Sequence, residues 1–146
     1  MCYFQTITGC LNLFPQFLNY GLYGPLLLRV GLAAVFIVHG YPKLFGGLES
    51  TAQFFESIGI KPGKFWALVV GLVELVGGIL LLVGLFVQLV AMLLVINMIV
   101  AIWKVKFKVG FSSPAGGGWE FDFVLLIMAL TLLLLGGGAY SIDLPL

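Results

Sequence analysis

One carboxylate stands alone in the longest apolar stretch of this chain. The 39 residues from Phe65 to Trp103 contain a single charged side chain, Glu74, and no Ser or Thr. A carboxylate in such a setting needs a cation, a proton or hydrogen-bond donors, because an isolated charge in an apolar medium is strongly destabilising. Intramembrane carboxylates are typical of proton relays and ligand sites, so Glu74 is the first candidate for chemistry.

Three other polar side chains in apolar segments are candidates for contact with Glu74. Arg29 has a long side chain that covers most of the distance to Glu74, so we expect an Arg29–Glu74 ion pair; the alternative is that Arg29 extends to the lipid headgroups. His39, the only histidine, is either a hydrogen-bonded structural residue or a carrier of protons to a quinone, because imidazole titrates near neutral pH. Asn97 is expected to form an interhelical hydrogen bond.

Two acids open the last apolar segment. Glu120 and Asp122 suit a helix amino terminus, where the helix dipole favours negative charge. They lie on different faces of that helix, so we expect only one to point inward, and the periodicity does not choose between them. His39 has no second His or Cys at ligand spacing, so neither a metal nor a haem site is expected.

The composition predicts the kind of protein that positions these residues. Of 146 residues, 62% are hydrophobic and 9% are charged, whereas soluble domains carry about 25% charged residues. The net charge of +1 gives no reason to expect nucleic-acid binding. Because backbone groups in lipid must be paired within the protein, we predict an all-α integral membrane four-helix bundle with short interfacial helices.

The predicted spans follow the apolar stretches. They are residues 25–39, 64–84, 88–106 and 119–138, with a tight turn within residues 84–88, since about 20 helical residues cross a bilayer. The first span ends at His39 or slightly beyond, where the Gly40-Tyr41-Pro42 sequence predicts a break or a kink. Residues 50–58 read as a short amphipathic helix with Phe54, Phe55 and Ile58 turned to the membrane.

The chain divides into two parts. Residues 1–24 are predicted to be an interfacial amino-terminal segment, and residues 25–146 the membrane domain. Cys2 and Cys10 are interpreted as ordinary apolar cysteines of that segment, and a disulfide between them requires an oxidising compartment.

Small residues surround Glu74 on its own helix. At 100° per residue, Ala67, Gly71, Glu74 and Gly78 fall on one stripe of the second span. Such a stripe lets another helix come close, so Glu74 is predicted to face the interior of the bundle.

Lysines predict the orientation. Lys43, Lys61 and Lys64 lie between spans one and two, and Lys104, Lys106 and Lys108 lie between spans three and four. By the positive-inside rule both connectors are cytoplasmic and both termini are outside. We therefore expect a multi-pass protein of the cytoplasmic membrane, with Lys104 and Lys108 able to extend to the interface.

Several motifs together resemble the DoxX family across residues 25–143. They are RVGLAAVFIVHGYPKLFG at Arg29–Gly46, GLVELVGGILLLVGL at Gly71–Leu85, Asn97-Met98, GGWEF at Gly117–Phe121 and AYSID at Ala139–Asp143. The resemblance implies a four-helix membrane protein and a membrane subunit of, or a partner to, redox enzymes. It places the family pattern on Arg29, His39, Gly40, Lys43, Glu74, Gly77, Gly78, Asn97 and Glu120.

Three functions are open at this point. The first is a redox membrane subunit that binds a quinone in a pocket lined by His39, Glu74, Asn97 and Glu120 and takes electrons from a partner protein. No electron carrier or covalent cofactor is recognisable, so an independent oxidoreductase is not expected. The second is a non-enzymatic small-molecule transporter or binding bundle, and for transport a homodimer would supply more helices. The third is an assembly scaffold in which Arg29–Glu74 fixes the helix register.

Overall fold

The computed structural model describes residues 20–21, 23–113, 117–138 and 140–143. Within these ranges the secondary structure is helical, which confirms the all-α prediction. The principal helices are α1 (Gly24–Leu44), α2 (Leu48–Ser57), α3 (Gly63–Val83), α4 (Val87–Ala101) and α5 (Glu120–Leu135). A π-helical turn, Ile102–Lys106, continues α4. Nearly all of the predicted interfacial segment, with both cysteines, lies outside the described residues, so that segment stays a prediction.

Three of these helices have the length and composition of membrane spans. They are α1, α3 and α4 with its π-helical turn, each of 20 or 21 residues, and the chain is a multi-pass membrane bundle. The fourth predicted span forms α5, a helix of 16 residues that rises about 24 Å and packs along α4. Side chains such as Leu27 and Leu134 are 72% and 83% exposed, as expected of a surface that faces lipid.

The break predicted at Gly40-Tyr41-Pro42 is wrong. Helix α1 runs through Pro42 and ends at Leu44. Proline removes one N–H from the hydrogen-bond ladder, but Pro42 lies in the last turn, where the loss is small. Continuing the helix keeps Gly40 in contact with α3 and places Lys43 in the membrane bundle, whereas the sequence had suggested a connector.

The other boundaries follow the sequence closely. Helix α3 ends at Val83, and Gly84 adopts a left-handed φ of 81°, which only glycine takes without cost. Helix α4 then begins at Val87, so the tight turn predicted within residues 84–88 is confirmed. The predicted amphipathic helix is α2, two residues longer at its start than expected.

Glycines bring α1 and α3 into close antiparallel contact. A Cβ on Gly40 would lie 2.5 Å from the backbone nitrogen of Leu75, and a Cβ on Gly78 would lie 2.8 Å from the side chain of Ile37. On the same face Gly71 packs against Leu44. These contacts set one register, in which the amino-terminal part of α1 lies beside the carboxyl-terminal part of α3.

The core forms where α1, α3, α4 and α5 meet. Its buried side chains are Leu32, Ala33, Phe36, Leu81, Val87, Val90, Ala91, Leu94, Val95, Met98, Leu125, Ala129 and Leu132. Gly77 faces α4, where a Cβ would approach Val90. The core is entirely apolar, and the three buried charged side chains of the described residues, Arg29, Glu74 and Asp122, lie outside it.

Candidate functional site

Glu74 lies at the middle of α3 and is buried, with 3% of its surface exposed. Ala67, Gly71 and Gly78 on its stripe are buried as well, so the predicted inward orientation of Glu74 is confirmed. Small residues at this spacing let α1 approach α3 most closely on the face that carries Glu74, which places the Glu74 side chain in the interior.

The cation that neutralises Glu74 is Lys43. Its Nζ donates to Oε1 at 2.6 Å and to Oε2 at 2.5 Å, and Nδ2 of Asn97 donates to Oε1 at 3.1 Å. The three side chains come from α1, α3 and α4. The prediction that Asn97 bonds across helices is confirmed, and its acceptor is the buried carboxylate.

The predicted Arg29–Glu74 pair is wrong, because the helix register separates the two residues. A Cβ on Gly84 would touch the guanidinium of Arg29, so Arg29 lies about ten residues, roughly 15 Å, along α3 from Glu74. Lys43 lies one turn beyond Gly40, which packs directly on Glu74. A flexible lysine stem spans one turn.

Arg29 instead binds carbonyl oxygens. Its exposure is 1%, and it donates to Leu81 at 3.0 Å, Leu82 at 3.4 Å, Gly137 at 2.8 Å and Tyr140 at 3.1 Å. The first two carbonyls end α3, where a helix leaves its acceptors unpaired and favours positive charge. Arg29 therefore joins the end of α3 to the segment after α5.

Asp143 completes this junction and was missed by sequence reasoning. Its carboxylate accepts from the backbone N–H of Phe86 at 2.7 Å and of Val87 at 2.5 Å. Acids cap helix amino termini in this way, but Asp143 is 56 residues from α4 in sequence, so no local signal predicts the contact. We call Arg29, Ser141 and Asp143, with the turn at Gly84, the clasp; Ser141 donates its hydroxyl to the Gly84 carbonyl at 2.7 Å.

Of the two acids that begin α5, Asp122 faces the interior. It is 8% exposed and accepts a 2.5 Å hydrogen bond from Lys106, whereas Glu120 is exposed. The expectation that only one acid points inward is confirmed. Placing Glu120 in the pocket is wrong, because Asp122, two positions on and about 200° around the helix, takes the inward place.

A wide cavity of about 720 Å³ opens from Glu74 towards α2. Its inner end is formed by Lys43, Glu74 and Asn97, and its walls by α2, the turn after α2 and the facing parts of α3 and α4. Phe54, Phe55 and Trp66 make the wall aromatic. An apolar cleft that ends on a few polar groups is the usual form of a small-molecule site.

A narrow cavity of about 230 Å³ lies on the other side of the same ion pair. Its titratable lining consists of His39, Lys43, Glu74, Lys106 and Asp122. Lys43 and Glu74 line both cavities, so the buried pair forms the partition between them. The π-helical turn contributes to the lining of both cavities, because Lys104 lines the wide cavity and Lys106 lines the narrow cavity.

The hydrogen bond of His39 decides which ring nitrogen carries the hydrogen. Nδ1 lies 2.8 Å from the carbonyl oxygen of Val35, and a carbonyl only accepts, so Nδ1 carries the hydrogen. In the neutral ring Nε2 then holds the free lone pair. The predicted structural hydrogen bond is present, and the same bond leaves Nε2 as a base.

Within the described residues, no three His, Cys, Asp or Glu side chains come together as metal ligands do. The remaining predicted residues are placed as follows. Lys108 is exposed and lines neither cavity. Lys61 lines the wide cavity, and Lys64 lies 3.9 Å from Glu49.

Comparison with known proteins finds relatives across most of the chain. The sequence profile described as DoxX matches residues 24–107. "Putative oxidoreductase CatD" of Bacillus subtilis (strain 168) is 42% identical over 120 residues, covering 82% of this chain and 84% of that protein. "Uncharacterized membrane protein Rv3486" of Mycobacterium tuberculosis is 32% identical, covering 80% and 77%, and "Inner membrane protein YphA" of Escherichia coli is 28% identical, covering 55% and 59%. No solved structure matches the chain.

Proposed function

Because this chain belongs to the DoxX family of membrane proteins, we propose that it is the membrane subunit of a quinone-linked redox complex. The quinone headgroup binds at the inner end of the wide cavity, and electrons come from a partner redox protein. The name of the Bacillus subtilis relative includes the word oxidoreductase, which supports this class over a purely structural role.

The observation that carries the proposal is a buried polar cluster at the end of an aromatic, apolar cavity. A quinone has an apolar ring and tail and two carbonyl oxygens that need hydrogen-bond donors. Two of the three N–H groups of Lys43 and one of the two of Asn97 are used by Glu74. One donor remains on each side chain, which matches the requirement of a headgroup carbonyl.

Reduction of a quinone to a quinol consumes two electrons and two protons. The partner protein supplies the two electrons. Glu74 relays the two protons one after the other, each taken up through the narrow cavity and passed to a ring oxygen. When Glu74 takes up a proton, Lys43 loses its counter-charge and becomes a stronger donor to the reduced ring. The pair therefore couples charge at the ring to proton transfer.

Protons reach Glu74 through the narrow cavity. Asp122 and His39 line that cavity together with Glu74, and Nε2 of His39 is the free base. His39 is exposed and lies within two turns of the end of α1, so we assign proton entry to this end of the bundle. Ligand and protons then reach the same carboxylate through two different cavities.

A fluorescence titration tests quinone binding. Trp66 lines the wide cavity, whereas Trp103 and Trp119 do not. In the variant Trp103→Phe with Trp119→Phe, tryptophan fluorescence therefore reports on the cavity alone. A short-tailed ubiquinone should quench this signal saturably. Asn97→Leu should weaken binding about tenfold, the value of one buried hydrogen bond of about 1.4 kcal/mol.

Glu120→Gln is the matched control, because Glu120 is a nearby acid that lines neither cavity. Quenching that does not saturate, or that Asn97→Leu and Glu120→Gln change equally, contradicts quinone binding at this site.

A further inference from the structure

The mouth of the wide cavity differs in charge from its inner end. Lysines 43, 61 and 104 line the cavity, and Glu74 is its one acidic lining residue. Lys43 is paired with Glu74, so the inner end is neutral. We call the part of the cavity lined by Lys61 and Lys104 the mouth. Both lysines are exposed, and Nζ of Lys104 lies 5.2 Å from the centroid of the Trp103 ring, a cation–π contact that leaves its positive charge in place.

The neighbouring acids do not neutralise these two lysines. Among the described residues, the ion pairs join Lys43 to Glu74, Lys64 to Glu49 and Lys106 to Asp122. Glu56 keeps its charge while it accepts from the backbone N–H of Gly63, but it forms no ion pair with Lys61 or Lys104 and does not line the cavity. The mouth therefore attracts an anion.

The walls beside these charges are apolar. Phe54 and Trp66 are 45% and 42% exposed and line the cavity together with Val100 and Val105. The hydroxyls of Ser50 and Thr51 already donate to the Gly47 carbonyl, so the positive charge comes from the lysines. A ligand that satisfies this surface has an acidic group next to a hydrocarbon chain.

We propose that the mouth of the wide cavity binds an acidic phospholipid, whose phosphate lies between Lys61 and Lys104 and whose acyl chain runs along Phe54 and Trp66. Basic pockets between membrane helices recognise acidic headgroups in this way. Lysines on long stems reach the headgroup level while their stems stay in apolar surroundings. The proposal does not rest on quinone binding, because it uses the mouth and not the Glu74 end.

The test compares two lipids that differ only in headgroup. The purified variant Trp103→Phe with Trp119→Phe is titrated with dioctanoyl phosphatidylglycerol or with dioctanoyl phosphatidylcholine. The fluorescence of Trp66 is recorded. We expect saturable binding of the glycerol lipid, at least tenfold tighter than of the choline lipid. The binding should weaken as salt rises, since exposed charge pairs are screened.

Variants locate the headgroup. Lys61→Gln and Lys104→Gln should each weaken phosphatidylglycerol binding about fivefold, which corresponds to about 1 kcal/mol per lysine near an acidic surface. Lys64→Gln and Lys108→Gln remove lysines that do not line the cavity and should leave the affinity unchanged. Far-UV circular dichroism checks that each variant is folded.

Three results would overturn the proposal. Equal affinity for both lipids would show that charge plays no part. Equal weakening by the control lysines would show attraction to the whole surface. Binding of glycerol 3-phosphate as tight as that of the lipid would assign the mouth to a free anion with no acyl chain.

Discussion

Removing Lys43 should destabilise the protein more than removing the charge of Glu74. The asymmetry comes from burial, since the Lys43 side chain is 28% exposed and the Glu74 side chain 4%. In Glu74→Gln the ammonium moves towards the wide cavity and finds water, while the substituted amide keeps the bond to Asn97 through its carbonyl oxygen. In Lys43→Met the carboxylate stays buried with only Asn97 as a donor.

The magnitudes follow from these two situations. Breaking a buried pair so that one charge is stranded costs about 3–5 kcal/mol. We therefore expect Lys43→Met to lower the free energy of unfolding by about 3–5 kcal/mol at pH 7. Glu74→Gln should lower it by about 1–2 kcal/mol.

A double variant tests whether the loss in Lys43→Met comes from the stranded carboxylate. The double variant Lys43→Met with Glu74→Gln has no stranded charge and should be close to Glu74→Gln alone.

Unfolding in sodium dodecyl sulfate, followed by circular dichroism at pH 7, measures all three variants. Equal losses for the two single variants would refute the reasoning. Additive losses in the double variant would show that the two side chains do not interact.

Three further predictions use the same unfolding assay. Arg29→Met removes the hydrogen bonds to the carbonyls at the end of α3 and should lower the free energy of unfolding by about 2–4 kcal/mol. Arg29→Lys should restore only part of this stability, because an ammonium lacks the guanidinium fork. Full restoration would contradict the assigned hydrogen bonds. Asp143→Ala removes the cap of α4 and should cost about 1 kcal/mol, and no loss would contradict the capping role of Asp143. Gly40→Ala should lower the free energy of unfolding by about 1–3 kcal/mol, because its Cβ would lie 2.5 Å from the Leu75 nitrogen. In the control Gly31→Ala the Cβ would meet only Met128, at 3.5 Å. Equal effects of the two substitutions would contradict the close contact of α1 and α3.

The burial of Glu74 was predictable because its cause is local. The apolar length of the segment and the small residues one turn away on each side are properties of one helix. The partner was not predictable from such signals, because it depends on the register between two helices. That register is set by close contacts of Gly40 and Gly78 with the facing helix, which a single helical period does not reveal.

The error at Pro42 had a second consequence. Ending α1 at His39 assigned Lys43 to a connector, so Arg29 was left as the nearest cation for Glu74. The structure shows that α1 continues through this proline for two more residues and so includes Lys43. The periodicity left Glu120 and Asp122 open, and the family resemblance placed Glu120 in the pocket. The inward face of α5 is instead decided by its packing on α4 and α1.

Photolabelling with an azidoquinone tests the central claim most directly. After illumination of the labelled protein in lipid bilayers, peptide mass spectrometry identifies the modified residues. The account predicts labels on the wide-cavity lining, around Trp66 to Val70 and Asn97 to Val105, and their loss when unlabelled quinone competes. Labels spread over the lipid-facing side chains of α1 and α5, unchanged by competitor, would contradict it.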